Sequence, residues 1–116
     1  MRRRWVLAAC AASVLTAAPA QAVEPFVGRW AINPTACTSF GDSAATTPLI
    51  ATDTNLRWFA GSCRIGKMYK LGQVVYIQAR CFGDAAADVP ITLDARGDRM
   101  RVTWNNAKTE ELRRCK

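Results

Sequence analysis

Four cysteines beyond the N-terminal leader constrain this chain more than any other feature. Cys37, Cys63, Cys81 and Cys115 are an even set, spread over 116 − 22 = 94 residues. A chain that short buries only about 60–65% of the surface it exposes when unfolded. Covalent staples therefore matter to it, and an even cysteine set in a small exported domain reads as a disulfide framework.

Export is read from the first 22 residues. Met1 to Arg4 carry three arginines, Trp5 to Ala18 is almost wholly apolar, and Ala20-Gln21-Ala22 has the small-x-small pattern of a signal-peptidase site. Residues 1–22 are thus expected to be a bacterial-type secretory signal, and 23–116 one small domain of the periplasm or extracellular space. Leu7-Ala8-Ala9-Cys10 also fits the lipobox of bacterial lipoproteins. Only Trp5 to Ala9 separates the arginines from Cys10, however, which is short for an apolar region of about 7–15 residues. The apolar run also continues to Ala18, so cleavage near Ala22 is the expectation. No second long apolar run follows, and no transmembrane segment is expected in the mature chain.

The net charge of +7 includes the three leader arginines, which leaves 7 − 3 = +4 on residues 23–116. That is milder than a nucleic-acid binder's basicity, and an exported protein rarely meets nucleic acid, so none is expected as a partner.

The residue pattern is that of short strands. Gly28 to Ile32 reads as a first strand stopped by Asn33-Pro34, and Thr35 to Pro48 as a polar loop tied down by Cys37. Leu49 to Ile65 reads as one interrupted strand or two short ones. Val74 to Cys81 alternates with a period of two, with Val75, Ile77, Ala79 and Cys81 on the apolar face. Folding the chain about Gly72 sets Cys63 opposite Cys81, Ile65 opposite Ala79, Lys67 opposite Ile77 and Tyr69 opposite Val75. Lys67 is the misfit. Opposed side chains lie close enough for a disulfide. Of the three connectivities open to four cysteines, Cys63–Cys81 with Cys37–Cys115 is favoured.

A second hairpin joins Ile91, Leu93, Met100, Val102 and Trp104 on one face and Thr92, Asp94, Arg99, Arg101 and Thr103 on the other. Pairing Leu93 with Met100 leaves Arg96-Gly97 as its loop. Asn105-Asn106 signals a further turn, since asparagine tolerates left-handed geometry. Thr109 to Cys115 is a polar last strand, at an edge or closing a barrel. No helical period is found in the mature chain. The predicted fold is all-β, a small antiparallel barrel or sandwich stapled by two disulfides.

The chain contains no histidine. Ser-His-Asp and Cys-His catalysis are therefore excluded, as are histidine-ligated metals. Paired cysteines offer neither a nucleophile nor a ligand. Most of the acids, among them Asp42, Asp53, Asp84, Asp88, Asp94 and Asp98, lie beside turns. No catalytic residue, cofactor or metal is expected.

The candidate interaction residues are basic and aromatic. Arg99 and Arg101 share the outer face of one strand, Arg113 or Arg114 lies on its neighbour, and Arg64 and Arg80 lie on the outside of the first hairpin. Such a face meets anionic lipid, lipopolysaccharide or an acidic protein surface, or is simply solvated beside Asp94 and Glu111. Trp58 and Phe59 are adjacent in a strand, so one of them leaves the core. Val23 to Phe26 is either a frayed terminus or an arm for a partner's cleft.

Gly28-Arg29-Trp30, opening the first strand of a small exported β-domain, resembles the Gly-x-Trp start of lipocalin-like barrels. In this setting it is similar to the small periplasmic inhibitor barrels of bacteria that act on metalloproteases or lysozyme. The resemblance implies a compact barrel that inhibits a hydrolase, and it carries over no functional residue. The metalloprotease inhibitors typically have one disulfide, whereas this chain can form two. The chain is equally similar to small exported domains of unassigned role that end in an Arg-Cys pair such as Arg114-Cys115. The leading functional expectation is a non-catalytic binding module whose partner is another exported protein. The alternative is an envelope-associated structural protein whose basic face contacts anionic lipid or polysaccharide.

Overall fold

The structure, a computed structural model, describes residues 24–83 and 86–116. The leader, Cys10, Val23 and Asp84 lie outside the described residues. Eight strands follow one another: β1 (Gly28–Ala31), β2 (Leu49–Ala51), β3 (Asn55–Trp58), β4 (Gly61–Leu71), β5 (Val74–Phe82), β6 (Ala87–Arg96), β7 (Arg99–Trp104) and β8 (Glu110–Arg114). Each pairs antiparallel with the next, and β8 returns to β1, so the sheet is a closed barrel. The polar last strand is the closing strand, with Trp30 opposite Arg114 and Ala31 opposite Arg113.

Alternation decides what faces inward. In β6 Val89, Ile91, Leu93 and Ala95 are buried, and in β7 Met100, Val102 and Trp104 are, while Arg99 and Arg101 point out. An eight-stranded barrel is about wide enough for its own side chains to fill. Trp30, Leu49, Leu56, Leu93, Met100, Val102 and Leu112 all lie wholly out of solvent. Among the described residues the core holds no polar or charged side chain. No helix among them is long and apolar enough to cross a membrane.

Both favoured disulfides are present, Cys37–Cys115 and Cys63–Cys81. The first joins a 3-10 helix after β1 (Pro34–Thr38) to the residue after β8, across the seam where the barrel closes. That short helix occupies the start of the segment expected to be loop. The second links directly opposed residues of β4 and β5.

Two hairpin registers differ from expectation. In the first, Cys63 faces Cys81 and Ile65 faces Ala79 as expected, but then Lys67 faces Gln78, Met68 faces Ile77 and Tyr69 faces Tyr76. A bulge at Gly66 inserts one extra residue and exchanges the faces beyond it. Met68 therefore joins Ile77, and Lys67 turns outward. A Cβ at Gly66 would sit 2.9 Å from the Gln78 carbonyl oxygen, so the bulge brings two backbones closer than a side chain allows. In the second hairpin Leu93 pairs with Val102 and Ala95 with Met100, and the loop is Gly97-Asp98 rather than Arg96-Gly97. A slip of two residues leaves every side chain on its face, so alternation cannot separate these registers. The turn does: Gly97, at φ 61°, takes the first loop position, as a type II′ turn requires. The Asn105-Asn106 turn forms with φ values of 52° and 59°, closed by Ala107 N donating to Trp104 O.

Candidate functional site

The segment ahead of β1 is neither frayed nor a free arm over its described residues. Phe26 is fully buried, and Trp30 Nε1 donates to its carbonyl at 2.9 Å. Arg114 Nη1 and Nη2 donate to the carbonyls of Val27 and Pro25 at 3.0 and 3.1 Å. The same guanidinium stacks over the Trp30 ring. Arg114 is thereby turned to the end of the barrel, where it clasps the lead-in, while Arg99, Arg101 and Arg113 remain on the outside. Gly28 makes the clasp possible, because a Cβ there would meet Arg114 Nη1 at 2.6 Å.

The outer face of β6, β7 and β8 is the basic surface expected from the sequence. Asp94, Arg101 and Glu111 stand opposite one another across it, and next to them Arg96, Arg99 and Arg113 do the same. Arg96 contacts Asp94 at 3.2 Å, and Arg99 approaches Glu111 at 3.9 Å. Arg64 and Arg80 oppose each other elsewhere on the barrel, with Arg80 paired to Asp88 at 3.1 Å.

The aromatic pair divides, but at the end of a strand rather than within one: β3 stops at Trp58, and Phe59 stands in the turn that follows, its ring edge-on to that of Trp58. Trp58 is buried, donates Nε1 to Thr47 O at 3.0 Å and packs edge-on against Trp104. Phe59 leaves the core and borders a shallow groove with Phe40.

One surface was not singled out in the sequence. Strand β3 begins at Asn55, opposite Arg64, and Ile65 N donates to Thr54 O at 2.8 Å. Beyond this point β4 runs on from Gly66 to Leu71 with β5 as its sole ladder partner among the described residues. Its other backbone edge is open there among the described residues. The same stretch exposes Tyr69 at 58% and Leu71 at 63%, with Met68 partly exposed beside them. Tyr69 stacks on Tyr76 with ring centroids 5.0 Å apart. Lys70 forms an ion pair with Glu24, and a groove of about 590 Å³ runs between the lead-in and the hairpin tips. The missed signal was Lys67. Its misfit marks the bulge that turns Tyr69 and Leu71 outward and leaves this edge past the barrel rim.

Among the described residues no cluster of acids and cysteines has the makings of a metal site. The chain matches no protein-family model, no curated protein and no solved structure.

Proposed function

We propose that the chain is a non-catalytic binding module, exported after cleavage near Ala22, that binds another exported protein and inhibits it if it is a hydrolase. The single observation carrying this reading is the open edge of β4 from Gly66 to Leu71, with Met68, Tyr69 and Leu71 exposed on it. An unpaired edge next to exposed aromatic and aliphatic groups is a liability for a monomer. It is also the feature that strand-addition recognition uses: the backbone supplies affinity and alternate side chains supply selectivity. Tyrosine is a preferred anchor at such interfaces, since it buries a large ring at small entropic cost. Two disulfides on a packed barrel hold the edge rigid and suit an oxidising compartment. The inhibitor element rests on the resemblance of Gly28-Arg29-Trp30 to small periplasmic inhibitor barrels.

The test is affinity capture. The oxidised chain from Val23 is immobilised, exposed to periplasmic and extracellular extracts at low and high salt, and the retained species are identified by mass spectrometry. The reading predicts one stoichiometric, salt-resistant protein, released by Tyr69→Asp with Leu71→Asp. Retention of anionic lipid or glycan alone, or a complex indifferent to that double variant, would overturn it.

A further inference from the structure

The arginines on the outer face of the barrel stand in an arrangement that has a cost. Arg96, Arg99 and Arg113 occupy directly opposed positions on the three neighbouring strands β6, β7 and β8. Opposed outward residues have Cβ atoms about 4.5–5.5 Å apart, and like charges there are destabilising. The adjoining row shows the ordinary solution, since Asp94, Arg101 and Glu111 alternate in sign. The other opposed pair, Arg64 and Arg80, follows the same rule, with Asp88 next in its row and bonded to Arg80. The row of three arginines contains no carboxylate of its own. Its relief comes from Asp94 and Glu111 in the adjoining row, which reach Arg96 and Arg99.

Counting both rows, four guanidiniums face two carboxylates, and 4 − 2 leaves an excess of +2. Arg96, Arg99 and Arg101, with Asp94 and Glu111, border a groove of about 330 Å³ on the surface, and Arg113 stands beyond it, opposite Arg99. A guanidinium is the fork that holds phosphate oxygens in pairs. A phosphate monoester carries about −1.5 to −2 at neutral pH, which balances the excess, whereas a diester or a carboxylate supplies about half of it.

We propose that Arg96, Arg99 and Arg113, with Arg101 beside them, form a binding site for a phosphate monoester group carried on a sugar or a lipid. This site lies apart from the β4 edge and does not depend on the proposed protein partner.

The oxidised mature chain is titrated by calorimetry with glucose 6-phosphate, a soluble monoester. Its binding is also measured to phosphatidylcholine vesicles containing phosphatidic acid, a lipid monoester, or an equal fraction of phosphatidylglycerol, a diester. Binding of the soluble monoester alone identifies a sugar phosphate as the source. Preference for the phosphatidic acid vesicles identifies a lipid, and either result supports the site. Arg99→Gln with Arg113→Gln is expected to weaken binding at least about tenfold, the loss expected for charge-assisted hydrogen bonds. Arg64→Gln with Arg80→Gln, which removes the same charge elsewhere, is expected to leave it unchanged. Failure of every monoester to bind at low salt, equal binding of the two anionic vesicles, or equal loss in both double variants would overturn the proposal. Thermal unfolding of each variant confirms that the barrel is intact.

Discussion

The guanidinium of Arg114 lies 4.2 Å from the centre of the Trp30 ring. It joins the end of the last strand to the first, and its hydrogen bonds to Val27 and Pro25 reach 87 and 89 residues back along the chain. With the ion pair of its Nε to Asp98 at 3.9 Å, four contacts converge on one planar cation. Lysine carries the same charge but cannot stack flat while donating to two carbonyls. Arg114→Lys is expected to lose about 2 kcal/mol, from charge-assisted hydrogen bonds and a cation–π contact. Urea unfolding of the oxidised chain measures it. A loss no larger than that of an exposed control such as Arg57→Lys would show that the clasp is not structural.

Gly28 and Arg114 compete for the same space. Gly28 has a φ of 145° and its missing Cβ is where the guanidinium passes, so Gly28→Ala brings both backbone strain and a clash. A destabilisation of about 1–3 kcal/mol is expected from the strain alone. Because the clash needs the arginine, Gly28→Ala combined with Arg114→Ala should cost less than the sum of the two single changes. A double-mutant cycle by urea unfolding checks this, and strict additivity would refute the shared-space argument.

The disulfides should contribute unequally. Cys37–Cys115 spans a sequence separation of 78 and Cys63–Cys81 one of 18. Chain-entropy arguments give about 4.5 kcal/mol for the long loop and about 3 kcal/mol for the short one. The long bond also crosses the seam, where β1 and β8 share just two paired positions. Cys37→Ser with Cys115→Ser is therefore expected to lower the melting temperature more than Cys63→Ser with Cys81→Ser. Calorimetry of the two variants decides the order, and the reverse order would place the weak point of the fold in the β4–β5 hairpin.

Much of this architecture was legible because the barrel is two-sided. Inward positions such as Leu93 and Met100 alternate with Asp94 and Arg101, so faces follow from sequence by parity. Cys63 opposite Cys81 followed from the position of Gly72, and Cys37–Cys115 by exclusion. Parity is blind to a two-residue slip, so it accepts Met100 opposite Leu93 as readily as Val102, the partner found. It is also blind to an inserted residue until a charge falls on the wrong face, as Lys67 does. Sequence shows Arg114 only as surface charge, because its partners, the carbonyls of Pro25 and Val27, leave no trace in residue type. The open β4 edge was hidden for a related reason. It depends on β3 being four residues long beside an eleven-residue neighbour, a comparison that needs the register.

The opposed arginines predict a stabilising substitution. Arg99 faces Arg96 on one side and Arg113 on the other. Threonine suits an exposed strand position and removes both repulsions, so Arg99→Thr should stabilise the unliganded chain by about 0.5 kcal/mol at low salt. Added salt screens exposed charges within about 8 Å at physiological ionic strength, so the gain should shrink as salt is raised. Thermal unfolding across a salt series tests both statements. Destabilisation at low salt would mean that the Glu111 contact outweighs the repulsion, and would remove the energetic reason for placing an anion there.

Tyr69 and Leu71 offer the sharpest separation of binding from folding. Both are more than half exposed on a strand whose outer edge carries no ladder among the described residues, and the aromatic contact that aspartate removes is the stacking of Tyr69 on Tyr76. Tyr69→Asp with Leu71→Asp should cost the oxidised chain no more than about 1.5 kcal/mol, the upper worth of the stacked Tyr69–Tyr76 pair, and leave the barrel folded. The same pair should weaken the captured protein complex at least about a hundredfold, as loss of an aromatic anchor of about 3 kcal/mol or more does. Salt should move the two surfaces in opposite ways. A complex built on buried rings and backbone hydrogen bonds resists it, whereas phosphate held by exposed arginines is released by it. Surface plasmon resonance of the double variant and of Arg99→Gln with Arg113→Gln, each at low and high salt, resolves the two contributions. A protein complex lost on the arginine change and kept on the Tyr69 and Leu71 change would move the recognition surface from the β4 edge to the basic face.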